Sequence, residues 1–238
     1  MEDPGLPEAV LFDLDDTIVD HRPSTEELWK ELCYRYAGYL DGISGDTLLE
    51  AVDRARHWYW SDEDRHRWGR LNLIQARRKF VAAAFTALEI DNPGVSEDLA
   101  DSFTREREER VILSPGAIET LKRLRGSGIK LGMITNGASD MQRRKIEQYG
   151  LAPYFECITI EGEFGAGKPD ISIFTHTLEQ LGTPPEKAWM VGDDLGRDIK
   201  GARNTGIYSV WVDWQTGGLP ESPPAIPDRI ISSISELV

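Results

Sequence analysis

The 238-residue sequence predicts an α/β fold: a parallel β-sheet flanked by helices, with an all-helical domain inserted after the first strand. Three observations carry that expectation. From about Val111 onward, short apolar β-rich runs alternate with helical patterns, which is how βαβ units read. From about Ile18 to Arg110 the pattern is helical almost throughout. One strand-like run, VLFDL at residues 10–14, precedes that stretch and is cut off by it from the rest of the sheet.

After the first strand, Ser24 and Glu27 form a capping box that opens STEELWKELCYRYAGYL. Further on, Leu71, Ile74, Val81, Phe85 and Leu88 recur at helical spacing. The later strands are IKLGMIT (129–135), ECITI (156–160), AWMVG (188–192) and YSVWV (208–212), each apolar enough to be buried on both faces. Helical patterns lie between them; Ser114 before Pro115 is a good helix start, and Gly150 and Gly182 are good stops. Residues 215–227, QTGGLPESPPAIP, read as a loop. The expected domains are 1–18 with 111–238 for the sheet and 19–110 for the helical insert. Internal repeats and low-complexity segments are absent.

Composition narrows the function. With 27 Lys and Arg against 41 Asp and Glu, the formal charge is −14, which argues against general binding of nucleic acid or of an anionic membrane. Cys33 and Cys157 supply neither a disulfide framework nor a cysteine metal site. The acidic, Pro-rich start is unlike a signal peptide, and no apolar run approaches the roughly 20 residues of a membrane span. The expected address is cytoplasmic, and the expected state a monomer or homodimer.

In open parallel sheets, ligands bind beyond the carboxyl ends of the strands. The first strand ends in Asp13, Asp15 and Thr17, the second in Thr135, Asn136 and Gly137. Lys168 follows the third; the fourth ends in Gly192, Asp193 and Asp194, with Asp198 close behind. Two carboxylates roughly 4 Å apart repel by about 4 kcal/mol at an effective dielectric near 20, so such a rim calls for a cation or a reaction. The chemistry suits phosphoryl transfer. Carboxylates fit Mg²⁺, a hard cation that prefers oxygen. One Asp can attack phosphorus, and another can serve as acid and base. Thr and Asn can hold phosphoryl oxygens, and Lys adds positive charge. Strand-end Asp residues are also common helix caps, and that reading is preferred for Asp16 and Asp170. GEFGAGKP at 162–169 has P-loop spacing, but Pro169 replaces the Ser or Thr that would ligate Mg²⁺.

DLDDT, ITNG, GKPD and VGDDLGRD, in that order, resemble the four motifs of the haloacid dehalogenase-like (HAD) hydrolases. The resemblance implies a Rossmann-like core with a mobile helical cap, of the type found in the phosphoglycolate phosphatase-like branch. It implies that Asp13 is the nucleophile and becomes an aspartyl phosphate. Asp15 would be the general acid/base and would offer its carbonyl to Mg²⁺. Thr135 and Lys168 would bind the phosphoryl group, with Asn136 assisting. Asp13, Asp15 and Asp193 would hold the metal. Asp194 or Asp198 would act through water or orient Lys168, and Thr17 would support the loop. Asp15 argues for phosphate over halide, because haloacid dehalogenases proper lack this second Asp.

The resulting expectation is a Mg²⁺-dependent hydrolase of small phosphorylated metabolites, with nucleoside monophosphates and sugar phosphates as candidate substrates. The later core looks most like nucleotidases and N-acylneuraminate 9-phosphatases. A phosphomutase would share every core motif. A P-loop NTPase would depend on Lys168 rather than Asp13. A phospho-Asp switch would need neither Asp15 nor a cap. Within the insert, Trp58, Tyr59, Trp60 and Trp68 lie among Arg65, His66, Arg67 and Arg70. They are read mostly as cap core beside a solvated Arg face, with one or two candidates for substrate contact. Arg143, Arg144 and Lys145 are read as an exposed helix face.

Overall fold

The computed structural model describes residues 6–21 and 25–238. The Ser24 half of the expected capping box lies outside them. The chain divides into two compact units, Met1–Asp20 with Leu113–Val238, and His21–Ile112.

The first unit is built on a parallel sheet. Its strands are β1 (Ala9–Phe12), β4 (Lys130–Thr135), β5 (Cys157–Ile160), β6 (Ala188–Gly192), β7 (Tyr208–Val212) and β8 (Arg229–Ile231), in the order β5-β4-β1-β6-β7-β8. Two short strands, β2 (Val19–Asp20) and β3 (Ile112–Leu113), pair with each other separately. In the main sheet β1 is central, and Phe12 is in register with Met133 on one side and Val191 on the other. The residues that follow β1, β4 and β6 therefore emerge side by side at one rim. Both faces of β1 are covered, which explains its unbroken apolar run.

Helices α6 (Ala117–Gly126), α7 (Ser139–Gln148), α9 (Ile171–Leu181) and α10 (Lys200–Thr205) flank this sheet, with a single turn, α8 (Glu161–Phe164), after β5. Asp170 caps α9 by accepting from the Ser172 N–H at 2.9 Å, as its sequence position suggested. Ile173, Phe174, Leu178 and Leu181 of α9 pack on Ala9, Leu11, Ile134 and Met190. Each fully buried apolar side chain of this kind contributes about 1.5–3 kcal/mol.

The second unit contains α1 (Thr25–Ala37), α2 (Gly45–Trp60), α3 (Glu63–Leu71), α4 (Leu73–Ala87) and α5 (Pro93–Glu109). Side-chain caps explain three of the starts: Ser44 accepts from Thr47, Asp62 from Arg65, and Asn92 from Val95. Its core centres on Trp29, stacked on Phe103 with ring centroids 3.7 Å apart and edge-on to Phe80 at 5.7 Å. Tyr59 joins that core and Trp60 packs against it. Trp58 and Trp68 stay exposed, under the side chains of Arg65 (4.1 Å) and Lys79 (3.6 Å). No helix among the described residues is long and apolar enough to cross a membrane.

Candidate active site

The rim begins at Asp13, whose N–H donates to the Val191 carbonyl at 2.9 Å and continues the β1–β6 ladder by one residue. The Asp13 side chain is buried and meets the Lys168 ammonium, with Nζ 2.5 Å from Oδ1. On its other side, Lys168 Nζ lies 2.7 Å from Asp198 Oδ1. All three groups are nearly inaccessible, so Lys168 is a buried wedge between two carboxylates. It stands outside the following helix, which begins at Ile171, and this differs from the place of a P-loop lysine.

Local structure fixes each partner. Asn136 clamps the Lys168 backbone, accepting its N–H at 2.8 Å and donating to its carbonyl at 2.9 Å. The Asn136 side chain is thus engaged in holding the lysine loop. Asp198 sits on a π-helical turn, Leu195–Ile199, and its Oδ2 accepts the Asp194 N–H at 3.0 Å. Gly192 makes room for it: a Cβ at that position would lie 2.2 Å from Asp198 Oδ2. Asp194 starts the same turn, accepting from Gly196 at 2.8 Å and Arg197 at 2.9 Å and pairing with the Arg197 guanidinium at 3.1 Å. Of the two candidates for orienting Lys168, Asp198 makes the contact and Asp194 caps the turn. The Asp193 carbonyl accepts from the Trp211 indole at 2.7 Å. Thr17 is fully buried, and its hydroxyl has no hydrogen-bond partner among the described residues.

Carboxylate oxygens of Asp13, Asp193 and Asp198 lie within 4.8 Å of one another. Burial pushes the Asp13 carboxyl up to about 7, with Asp198 and Asp15 adding to the rise and Lys168 opposing it. Burial and the Asp13 and Asp198 charges push Asp193 well above the usual carboxylate range. Burial likewise raises Asp198 against the pull of Lys168. Burial disfavours the Lys168 ammonium, but Asp13 and Asp198 outweigh it and hold the group protonated. Three carboxylates against one ammonium leave excess negative charge in a desolvated place, which fits an oxygen-loving divalent cation.

Asp15 lies at the same rim, two residues beyond Asp13. Its Oδ2 accepts from Gln142 Nε2 at 2.8 Å, and its Oδ1 pairs with Lys145 Nζ at 2.5 Å. Gln142 Nε2 also donates to the hydroxyl of Thr135, which is buried at the end of β4. The charge run Arg143-Arg144-Lys145 is therefore not one exposed face. Arg143 and Arg144 are exposed, but Lys145 turns inward with Gln142, three residues earlier on α7. Charge masked helical phase in the sequence: the buried Ile146 marks the inner side of α7. Glu161 is a further residue missed, buried with its Oε2 accepting the Gly137 N–H at 3.0 Å.

The buried Asp13–Lys168–Asp198 wedge and the carboxylate trio stand together at the ends of parallel strands, an arrangement suited to phosphoryl transfer. The profile of the haloacid dehalogenase-like hydrolases matches residues 7–206. The phosphoserine phosphatase of Thermus thermophilus is 34% identical over 248 aligned positions, covering 96% of each chain. The N-acylneuraminate-9-phosphatase of Rattus norvegicus is 29% identical, covering 96% of this chain and 91% of its own. The crystal structure of a HAD phosphatase from Thermococcus onnurineus superposes with a TM-score of 0.67 at 29% identity, covering 97% of this chain and 95% of that one. The chain belongs to the haloacid dehalogenase-like hydrolase family.

Proposed function

We propose that this protein is a Mg²⁺-dependent phosphomonoester hydrolase that works through an aspartyl phosphate on Asp13. The observation that carries this reading is the buried Asp13–Lys168–Asp198 arrangement beside Asp193, with Asp15 at the same rim. Asp13, Asp193 and the Asp15 carbonyl would hold Mg²⁺. Bound there, the ion offsets the carboxylate charges and the charge of the incoming phosphoryl group.

The residues divide the work. In the first half-reaction, an Asp13 oxygen bonds to phosphorus as the ester P–O bond breaks. The departing oxygen takes the proton carried by Asp15. In the second, water bonds to phosphorus and passes a proton to Asp15. The Asp13–phosphorus bond breaks and inorganic phosphate leaves, with the proton back on Asp15. Lys168 and Thr135 hold phosphoryl oxygens, Asn136 fixes the lysine loop, and Asp198 aims the ammonium. The relatives named above carry names for substrates as different as phosphoserine and an N-acylneuraminate 9-phosphate. The shared chemistry is a small phosphomonoester, and we assign its selection to the helical unit.

Phosphate release from nucleoside monophosphates, sugar phosphates, phosphoglycolate, phosphoserine and p-nitrophenyl phosphate tests the proposal. Each is run with Mg²⁺, with chelator, and with Asp13→Asn. Mg²⁺-dependent release abolished by the substitution is expected. Folded, Mg²⁺-loaded protein that releases no phosphate across the panel would overturn the reading.

A further inference from the structure

We propose that Gln142 and Lys145 of α7 are positioning residues for Asp15, fixing its carboxyl group in line for proton transfer at the ester oxygen. This rests on the acid/base role proposed for Asp15 above. The three side chains form a closed triangle: Gln142 to Asp15 Oδ2 at 2.8 Å, Lys145 to Asp15 Oδ1 at 2.5 Å, and Lys145 to Gln142 Oε1 at 2.8 Å. Asp15 itself stands on the irregular segment after β1, where only a bridge to Val19 interrupts the turn. A carboxyl group on such a segment needs outside contacts to hold its rotamer, and proton transfer demands hydrogen-bond geometry.

A casual surface pair would look different. Gln142 is 2% exposed, and the Lys145 side chain is only 15% exposed. Ordering a long lysine side chain costs rotamer entropy that a lone exposed ion pair seldom offsets. The neighbouring Arg143, on the same helix, turns away to Glu163 at 2.6 Å. Gln142 adds a second link, because the same amide nitrogen donates to Thr135. Through Gln142, the group that gives and takes the proton is tied to a group assigned to hold the phosphoryl oxygens. The two halves of the site are thereby set in one frame by a single helix face.

The test uses leaving-group dependence. A p-nitrophenolate departs without a proton, whereas an alkoxide needs one. Single-turnover rates are measured for Lys145→Met, Lys145→Leu, Lys145→Arg, Gln142→Leu and Asp15→Asn, with p-nitrophenyl phosphate and with the fastest alkyl phosphomonoester of the panel. Thermal melts check that each variant is folded. Lys145→Met is expected to slow the alkyl ester by about 10- to 100-fold, part of the usual acid/base contribution, and to leave the aryl ester within about threefold. KM stays within about threefold, and Lys145→Arg recovers most of the loss. In steady state, Lys145→Met should then show a burst of p-nitrophenolate, since water attack on the aspartyl phosphate also needs a placed Asp15. Lys145→Leu gives the same selectivity and serves alone if Lys145→Met does not fold, whereas Gln142→Leu, which also releases Thr135, adds a loss common to both esters on top of that selectivity. Equal losses on both esters, or a raised KM with unchanged kcat, would overturn the positioning role. Asp15→Asn separates the two readings. If it too slows both esters equally, the acid/base assignment has failed; if only the α7 variants do so, the positioning inference has failed.

Discussion

Removing divalent cations while varying pH should expose the charge conflict built into the site. In the metal-free protein, burial lifts the Asp13 carboxyl from its ordinary 3.8 to about 7, and Asp193 and Asp198 move in the same direction. A carboxyl whose folded pKa exceeds its unfolded value takes up a proton on folding between the two. Metal-free stability therefore falls as pH rises through that window, the reverse of the usual salt-bridged carboxylate. At about 1.4 kcal/mol per pH unit, Asp13 alone accounts for at most about 4 kcal/mol. For a chain of this size each kcal/mol moves Tm by about 2–4 °C. Thermal unfolding with chelator should thus show Tm falling from pH 5 to pH 8. Asp13→Asn should lessen that slope and leave the part that Asp193 and Asp198 carry. Saturating Mg²⁺ should raise Tm most at the alkaline end, by about 2.7 kcal/mol of stability at a hundredfold excess over Kd. A chelated protein whose Tm rises over this range, or whose slope is undiminished in Asp13→Asn, would refute the reasoning.

Gly192→Ala places a Cβ 2.2 Å from Asp198 Oδ2, so Asp198 must swing off Lys168. Overpacking of this kind costs about 1–3 kcal/mol, and kcat should fall far more than KM; unchanged kcat would contradict the proposed aim of Lys168. Arg77 is buried, with its guanidinium 5.2 Å over the Phe103 ring, and burial together with the Arg107 charge pushes its pKa down to about 9. Its Nη1 has no hydrogen-bond partner among the described residues. Arg77→Met should therefore raise stability by about 1 kcal/mol; a lower Tm in calorimetry would show that the charge is compensated. Glu163 is held down to about 2 by hydrogen bonds from Arg143 and Ser139. Its contribution is present above the ordinary carboxylate pKa and lost as pH falls toward 2. Because the pair is exposed, Glu163→Gln should cost only about 0.5–1 kcal/mol near pH 7, and the difference should shrink by pH 3.

Much of this site could be read from strand ends alone. β1, β4 and β6 are apolar runs that stop at polar residues, and their register forces Asp13, Thr135 and Asp193 onto one rim. What escaped the sequence has physical causes. β8 is a short edge strand whose partner, β7, lies across a long Pro- and Gly-rich loop, so neither period nor length signals it. Lys145 was hidden within a run of like charges, where only helical phase separates the inward lysine from its outward neighbours. Asn136 belongs to a recognisable motif, yet residue type alone could not say that its amide faces the Lys168 backbone. Asp194 and Asp198 share one acidic cluster, and only the π-helical turn decides which caps and which reaches the lysine.

The central claim is that phosphorus passes through Asp13. Wild-type protein turning over its best phosphomonoester with Mg²⁺ would be acid-quenched on the millisecond scale and its peptides weighed. A phosphoryl adduct should appear on the peptide carrying Asp13, at a rate no slower than turnover, and decay into inorganic phosphate. Turnover with no adduct on Asp13, or with the phosphoryl group on another side chain, would contradict the account.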